Sequence, residues 1–208
     1  MSKKATILAV EAGAVTGIPN GATALLDVPL MDVPRAWAGP RDLLETDEAF
    51  LQIIPYVVIK RGDQFLAYVR TTTGGEDRLH GKVSIGVGGH IDAEDFLLDD
   101  HGAIDIERTA RNGAQRELVE ELNLYPNHSY FQWLGFLRWN ETPVDRVHLG
   151  LVYLLDLDKH GYDERVNLGY FKDEAEDALG DLRMMTLEEL RSTDLELETW
   201  TRLALDLL

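Results

Sequence analysis

The sequence predicts an α+β fold, in which a mixed β-sheet is interrupted by one long helix and followed by further helices. Three observations support this class. Runs rich in β-branched and aromatic residues occur before residue 90 and again after residue 129. Between these runs, apolar residues recur with a spacing typical of an α-helix. Two shorter segments after residue 185 also have helical character.

The composition fits a globular chain with one domain and an extension. Of its 208 residues, 45% are hydrophobic and 27% are charged, which is ordinary for a protein with a sizeable core. The net charge of −17 argues against broad nucleic-acid binding, because such binding normally uses a basic surface. No run approaches the roughly 20 apolar residues of a membrane span. The absence of cysteine excludes disulfides and thiolate metal sites. We expect a cytoplasmic protein without membrane contact.

Residues 1–47 differ in character from the rest of the chain. They contain four of the seven prolines and only short apolar runs. Residues 5–11 predict one strand, and residues 42–50 predict a short helix. We expect residues 1–47 to form an N-terminal extension that packs on a main domain of residues 48–208.

The main domain begins with a predicted β-hairpin. Residues 52–60 and 64–70 are β-rich and are joined by a glycine-containing turn. Because proline lacks the donor needed for strand pairing, Pro55 predicts an irregularity or a sheet edge at that point. Residues 82–86 predict a short strand that runs into a glycine turn.

A long helix is predicted from Thr109 to Leu122. Thr109 is a candidate N-cap, and Asn123 suits the left-handed position that often follows a helix. Four apolar residues at four-residue intervals form a single stripe toward the core. The members of this stripe are Ala110, Ala114, Leu118 and Leu122.

Two strands are predicted after this helix, at residues 130–139 and 146–156. The second is apolar almost throughout, which favours a central place in the sheet. Residues 182–185 predict a last strand, and Thr186-Leu-Glu-Glu189 has the spacing of a capping box at a helix start. The tail, residues 196–208, predicts another amphipathic helix.

Three glutamates lie on one side of the predicted long helix. Glu117, Glu120 and Glu121 fall within an arc of roughly 100° on a helix of about 3.6 residues per turn. A divalent cation would reverse their mutual repulsion, and their hard oxygen ligands favour Mg²⁺, Mn²⁺ or Ca²⁺. Arg116 can orient one carboxylate through a bidentate pair. A solvated acidic helix face is the alternative interpretation.

The residues around this cluster resemble the Nudix box. The family pattern is a glycine, five residues, a glutamate, seven residues, and then Arg-Glu-aliphatic-x-Glu-Glu-x-Gly-aliphatic. Gly-Gly-His-Ile-Asp at residues 88–92 resembles its start, and the similarity extends over about residues 50–192. The second half of the pattern matches at Arg116, Glu117, Leu118, Glu120, Glu121 and Leu124.

The sequence departs from the pattern in three places. Gly89 and Arg116 are 27 positions apart, whereas the pattern has 14, so 13 residues are inserted. The first glutamate of the pattern has no clear counterpart, because counting back from Arg116 leads to Arg108, with only Glu94 and Glu107 nearby. Asn123 replaces the last glycine, a change that the helix-ending role of asparagine makes tolerable.

We place the box at about residues 89–124 and the insertion at about residues 93–105. The insertion is predicted to be a small solvated hairpin that borders the substrate pocket. Its aspartates, Asp95, Asp99 and Asp100, lack the spacing of an EF-hand calcium loop.

The resemblance implies a Nudix-type α/β/α sandwich and a Mg²⁺-dependent hydrolase, with Mn²⁺ as a substitute metal. The expected substrate is a nucleoside diphosphate derivative or a related small molecule, which is cleaved at its diphosphate linkage. A homodimer is a candidate assembly because dimers are common among proteins of this type.

The resemblance also implies roles for individual residues. Glu117, Glu120 and Glu121 are the expected metal ligands, and Glu117, Glu120 and Arg116 the expected catalytic residues. The general base is either Glu120 or a glutamate of a later loop. The later-loop candidates are Glu164, Glu174 and Glu176. The expected substrate-binding residues are Gly88, Gly89, His90 and Arg78.

Other side chains have both a functional and a structural interpretation. Arg70 and Lys82 precede the box and could meet a substrate phosphate, although a solvated surface position is the simpler expectation. His148 is predicted to be a hydrogen-bonded core histidine rather than a ligand. Four aromatic residues in the predicted strands could stack on the nucleobase of a substrate, although aromatic residues in strands more often pack in the hydrophobic core. This group consists of Tyr130, Trp133, Phe136 and Trp139.

Two hypotheses from other functional classes stay open. A catalytically silent Nudix-fold module that binds a nucleotide-like ligand fits the insertion and the missing first glutamate. A structural or interaction protein with an incidental acidic helix would show no thermal stabilisation by Mg²⁺.

Overall fold

The structure is a computed structural model that describes residues 5–15, 17–24, 36–73 and 79–208. Among these residues, no helix combines the length and hydrophobicity needed to cross a bilayer. The strands are β1 (Thr6–Glu11), β2 (Gly21–Ala24), β3 (Ala36–Pro40), β4 (Phe50–Arg61), β5 (Gln64–Arg70), β6 (Val83–Ser84), β7 (Gly86–Val87), β8 (Phe131–Arg138), β9 (His148–Asp156) and β10 (Leu179–Thr186). The helices are α1 (Arg41–Leu44), α2 (Ile106–Leu122), α3 (Leu168–Glu174), α4 (Leu187–Ser192) and α5 (Thr199–Ala204).

The strands form one mixed sheet in the order β10-β5-β4-β9-β8-β2. At its centre, β4 and β9 run parallel over their full shared length, from Gln52↔His148 to Lys60↔Asp156. The neighbouring pairs β4/β5 and β8/β9 are antiparallel. The predicted mixed sheet and the central place of the apolar strand β9 are both confirmed.

Pro55 lies inside β4 at a point where, among the described residues, one side of the strand has no pairing partner. β1 pairs with β4 at residues 50–52, and β7 pairs with it at residues 57 and 58. Neither strand reaches Pro55. The local edge expected from the missing N–H of proline is therefore present, although β4 as a whole is central.

Helices cover both faces of the sheet, which gives the expected α/β/α sandwich. On one face, the predicted stripe of α2 is fully buried at Ala114, Leu118 and Leu122. On the other face, Trp200 of α5 packs against β9, and a Cβ atom added at Gly150 would lie 3.0 Å from its ring. Each fully buried leucine contributes about 1.5–3 kcal/mol.

α2 begins three residues earlier than predicted. Asp105 is its N-cap and accepts a hydrogen bond from the Arg108 backbone N–H at 3.0 Å. Thr109, the predicted N-cap, lies inside the helix, where its Oγ1 accepts from the Leu97 N–H at 2.9 Å. Asp and Thr are both preferred at this position, with Asp ranked above Thr, so the prediction of Thr109 as the N-cap is wrong. Asn123 follows the helix in the left-handed conformation with φ 50°, as predicted.

Two predicted helices are shorter in the structure. α1 ends at Leu44, and Phe50 already belongs to β4. The C-terminal helix starts only at Thr199 because residues 196–198 run as extended chain beside Val83, with Val83 N–H to Glu196 O at 2.8 Å. The capping box of α4 is present as predicted, since Glu189 N–H donates to Thr186 Oγ1 at 3.2 Å.

The N-terminal region joins the main sheet through strand pairing. β1 pairs antiparallel with both β3 and β4. Its backbone also meets the loop after the glycine turn, through an Ile7↔Asp92 bridge and a hydrogen bond from Leu8 N–H to Ile91 O at 3.0 Å. The chain before residue 48 therefore contacts the predicted functional loop directly.

Candidate active site

The glycine turn after β7 lies against both the central strand and α2. A Cβ atom added at Gly88 would stand 1.8 Å from the carbonyl oxygen of Pro55. One added at Gly89 would stand 2.7 Å from Oε1 of Glu117. Gly88 therefore has no room for a side chain, and any side chain at Gly89 would displace the Glu117 carboxylate, so the turn lies directly against a predicted metal ligand.

Arg116 connects the turn to two of the three glutamates. Its Nη1 donates to Glu117 Oε1 at 2.8 Å and to Glu120 Oε2 at 2.9 Å. Its Nη2 donates to the carbonyl oxygen of His90 at 2.8 Å. The sequence predicted that Arg116 orients one carboxylate, and the structure shows that it contacts two of the three glutamates and also the backbone of the turn.

Asp95 is the buried partner of Arg116, a role that the sequence analysis missed. Arg116 Nε lies 3.1 Å from Asp95 Oδ1, and Arg116 Nη2 lies 3.0 Å from Oδ2. Asp95 is only 2% exposed, so the predicted solvated position is wrong for this aspartate. It follows Gly89 by six positions, which is where the family pattern has its first glutamate. Counting forward from the glycine, instead of back from Arg116, would have found it.

The insertion therefore lies between Asp95 and Arg116, and the predicted start of the insertion at residue 93 is wrong. It includes a short hairpin with an antiparallel bridge between Leu98 and Ile104. At its tip, the Asp99 carboxylate accepts from the N–H groups of His101 and Ala103 at 2.8 and 2.9 Å. The predicted hairpin is present, and its aspartate stabilises the turn through the backbone.

Burial perturbs two of the predicted metal ligands. It raises the pKa of Glu117 to about 7 and the pKa of Glu121 to about 8, although the charges of Arg116 and Arg70, respectively, oppose this rise. Oε2 of Glu121 is buried and has no hydrogen-bond partner among the residues that the structure describes. A buried, unpaired carboxylate oxygen is costly, and a hard cation would satisfy it. These residues fit a divalent metal ion.

The three glutamates are not arranged as a finished metal centre. Within the described ranges, no group of three or more acidic or histidine side chains is placed to hold an ion as it stands. Arg116 engages Glu117 and Glu120, whereas Glu121 lies toward Arg70. The Glu120 side chain is 48% exposed and can therefore turn most easily.

Two of the three cations predicted to meet a substrate phosphate form ion pairs with the C-terminal segment. Arg70 Nε lies 2.8 Å from Oε1 of the buried Glu198, and Lys82 Nζ lies 3.1 Å from Glu196 Oε1. Arg78, the other candidate, lies outside the described residues.

The ring of His90 is buried and hydrogen-bonded inside the protein. Its Nε2 lies 2.8 Å from Oε1 of the fully buried Gln52. Burial lowers the pKa of His90 to about 3, which keeps the ring neutral. The expected substrate contact of this side chain is therefore not supported, and the backbone carbonyl is the part of His90 that meets the site.

Among the later glutamates, Glu176 is hydrogen-bonded through its backbone to a predicted metal ligand. Its backbone N–H donates to the carbonyl oxygen of Glu121 at 2.9 Å, and its charge contributes to the raised pKa of Glu121. Glu174 instead accepts from Asn123 Nδ2 at 2.7 Å. Glu164 lies in an exposed loop.

The strand aromatics pack mostly within the protein. Phe136 is fully buried, and Trp133 packs edge-on against it with ring centroids 4.9 Å apart. Tyr130 stacks on His160 at 4.1 Å. These contacts favour the structural interpretation of the aromatic group.

Known proteins resemble this chain in sequence and in fold. Protein YmaB of Bacillus subtilis is 36% identical over 167 residues, which cover 79% of this chain and 74% of YmaB. The crystal structure of Tm1382, a candidate Nudix hydrolase, matches with a TM-score of 0.69 and 26% identity, and covers 97% of this chain and 96% of Tm1382. No family model matches the chain.

A MutT Nudix hydrolase from Burkholderia pseudomallei shares the fold with a TM-score of 0.50 at 19% identity, over 76% of this chain and 97% of its own. The residues of the Nudix box lie together around Arg116, and the fold agrees with that of Tm1382 along nearly the whole chain. Both observations support the same family. The chain therefore belongs to the same family as YmaB and to the superfamily of Nudix hydrolases.

Proposed function

We propose that this protein is a Mg²⁺-dependent hydrolase that cleaves the diphosphate linkage of a nucleoside diphosphate derivative or a related small molecule. The observation that carries the proposal is the pair of desolvated carboxyl groups, Glu117 and Glu121, beside the glycine turn. One of them retains a buried oxygen that has no hydrogen-bond partner within the described part of the chain.

Each residue of the box has a defined task in this proposal. Glu117, Glu120 and Glu121 would hold the metal, together with a backbone carbonyl of the glycine turn. When bound, the metal neutralises charge on the diphosphate and lowers the pKa of a water molecule. Arg116 keeps Glu117 and Glu120 oriented. Glu120 or Glu176 accepts the proton of the attacking water.

The charge of the protein favours a small substrate over a polymer. A net charge of −17 repels a long phosphate backbone over a wide surface. A compact diphosphate needs positive charge at one point only, which a bound metal supplies. The proposal therefore limits the substrate to small molecules.

A screen of small diphosphate compounds with Mg²⁺ tests the proposal. Performed in ¹⁸O-labelled water, it reports which phosphorus atom is attacked, because the label enters the corresponding product. We expect metal-dependent turnover of at least one compound by the native chain and its loss in Glu121→Gln. Absence of turnover across nucleoside triphosphates, dinucleotides and sugar nucleotides, with Mg²⁺ or Mn²⁺, would refute the assignment.

The alternative of a catalytically silent module loses one of its two supports. It rested on the insertion and on the absence of the first glutamate. Asp95 occupies the place of that glutamate and pairs with Arg116. A silent module would bind a nucleotide without releasing product, and the same screen separates the two hypotheses.

A further inference from the structure

A buried polar chain connects the glycine turn to the centre of the sheet. Gln52 and His148 are paired neighbours on β4 and β9, and both are buried. Nε2 of His90 lies 2.8 Å from Gln52 Oε1 and 3.4 Å from His148 Nε2. The Gln52 amide donates to Leu44 O at 3.3 Å, and Nδ1 of His148 lies 2.7 Å from Val144 O.

The partners of the two histidines fix their tautomers. A carbonyl oxygen only accepts, so Nδ1 of His148 carries a proton and donates to Val144 O. In the neutral ring, Nε2 of His148 then has a lone pair. Gln52 directs its oxygen to His90 because its nitrogen donates to Leu44 O. The Nε2–H of His90 is therefore a donor that faces two acceptors.

His90 is held at two points, its ring and its carbonyl. The ring is held by Gln52 and His148, and the carbonyl oxygen by Arg116 at 2.8 Å. The preceding residue is Gly89, which lies against the Glu117 carboxylate. Fixing His90 on both sides restricts the rotation of the glycine backbone that the glycines themselves would otherwise allow.

We propose that Gln52 and His148 are positioning residues of the metal site, which act through His90 to hold the glycine turn against Glu117. This inference rests on the proposed function. Neighbours of metal ligands that fix ligand orientation typically change metal affinity or activity by about 10–100-fold when they are removed. Gln52 and His148 lie one residue further from the metal ligands, because they hold the ring of His90, which follows Gly89.

The test measures binding of Mn²⁺ alone, by the electron paramagnetic resonance signal of the free ion. We expect Gln52→Leu and His148→Leu to weaken Mn²⁺ binding by about 10–100-fold. His148→Gln should restore near-native affinity, because its amide can donate to Val144 O while its oxygen accepts from His90. Thr201→Val is the matched control: it removes buried hydrogen bonds under α5, so it should lower the thermal midpoint and leave Mn²⁺ affinity unchanged.

Native Mn²⁺ affinity in folded Gln52→Leu and His148→Leu would overturn the inference while leaving the proposed function standing. If the native chain itself bound no Mn²⁺ at millimolar concentration, the proposed function would fail instead.

A measurement on the native protein covers the case in which the leucine variants do not fold. Long-range ¹H–¹⁵N spectra of the histidine rings should show His90 protonated at Nε2 and His148 at Nδ1, with the His90 signals moving when Mg²⁺ is added. The opposite tautomers, or signals that do not respond to Mg²⁺, would contradict the positioning role.

Discussion

Replacing Asp95 by Asn tests the most specific feature of the site, the buried ion pair with Arg116. The two side chains have almost the same shape, but the amide removes a charge that is within 3.0–3.1 Å of the guanidinium. Removing one partner of a buried pair costs about 3–5 kcal/mol. Because Arg116 keeps its contacts to Glu117 and Glu120, we expect the lower end of this range, about 3 kcal/mol.

Urea unfolding followed by tryptophan fluorescence measures this loss. With an m-value of about 3 kcal/mol/M, the midpoint of Asp95→Asn should fall by about 1 M. Asp100→Asn is the control, since Asp100 is an exposed aspartate of the neighbouring hairpin and its loss should not move the midpoint. A midpoint for Asp95→Asn within about 0.2 M of the native value would show that the pair does not stabilise the fold, and the reasoning would be wrong.

The remaining predictions concern the metal ligands. Glu120→Gln and Glu121→Gln should each lower turnover at least about 100-fold while leaving the fold intact, whereas the exposed Glu94→Gln should not lower turnover; steady-state kinetics and thermal melts decide this. The raised pKa values of Glu117 (about 7) and Glu121 (about 8) mean that the folded metal-free protein retains protons which the unfolded chain releases near 4.5. Their contribution to the free energy of unfolding is therefore complete below pH 4.5 and is lost as the pH rises to about 8. Urea midpoints of the metal-free protein, measured in EDTA at pH 5, 6.5 and 8, should fall in that order. Equal midpoints at the three pH values would contradict this prediction. Binding of Mg²⁺ at pH 7 should also release protons, detectable with an indicator dye. Gly89→Ala should abolish Mn²⁺ binding, because its Cβ would lie 2.7 Å from the Glu117 carboxylate, and native affinity in this variant would refute the close approach.

Local patterns in the sequence predicted much of the fold because they depend on neighbouring residues. The four-residue apolar spacing placed α2 and its buried stripe correctly, but it did not predict that Glu117 is buried as well. The nearly continuous apolar run predicted the central position of β9. Helix ends were less certain because Asp105 and Thr109 are both good caps, and only packing decides between them.

The contacts that the sequence did not predict join residues far apart in the chain. Arg70 and Glu198 are 128 positions apart, and Gln52 and His90 are 38 apart. Asp95 was missed for another reason: its partner Arg116 follows an insertion of unknown position, so the spacing of the pattern could be applied from either end. Only the fold shows which end was correct.

The hairpin between Asp95 and Arg116 leaves and rejoins the fold at almost the same place. Asp105 N–H donates to Leu97 O at 2.8 Å, and Thr109 Oγ1 holds the Leu97 N–H at 2.9 Å. The positions of Asp95 and Arg116 therefore do not depend on how many residues the hairpin between them contains. Because the entropy of loop closure changes slowly with length, residues can be added to the excursion at small entropic cost, and its exposed tip at Asp100 is a suitable place to attach a fluorophore or an epitope.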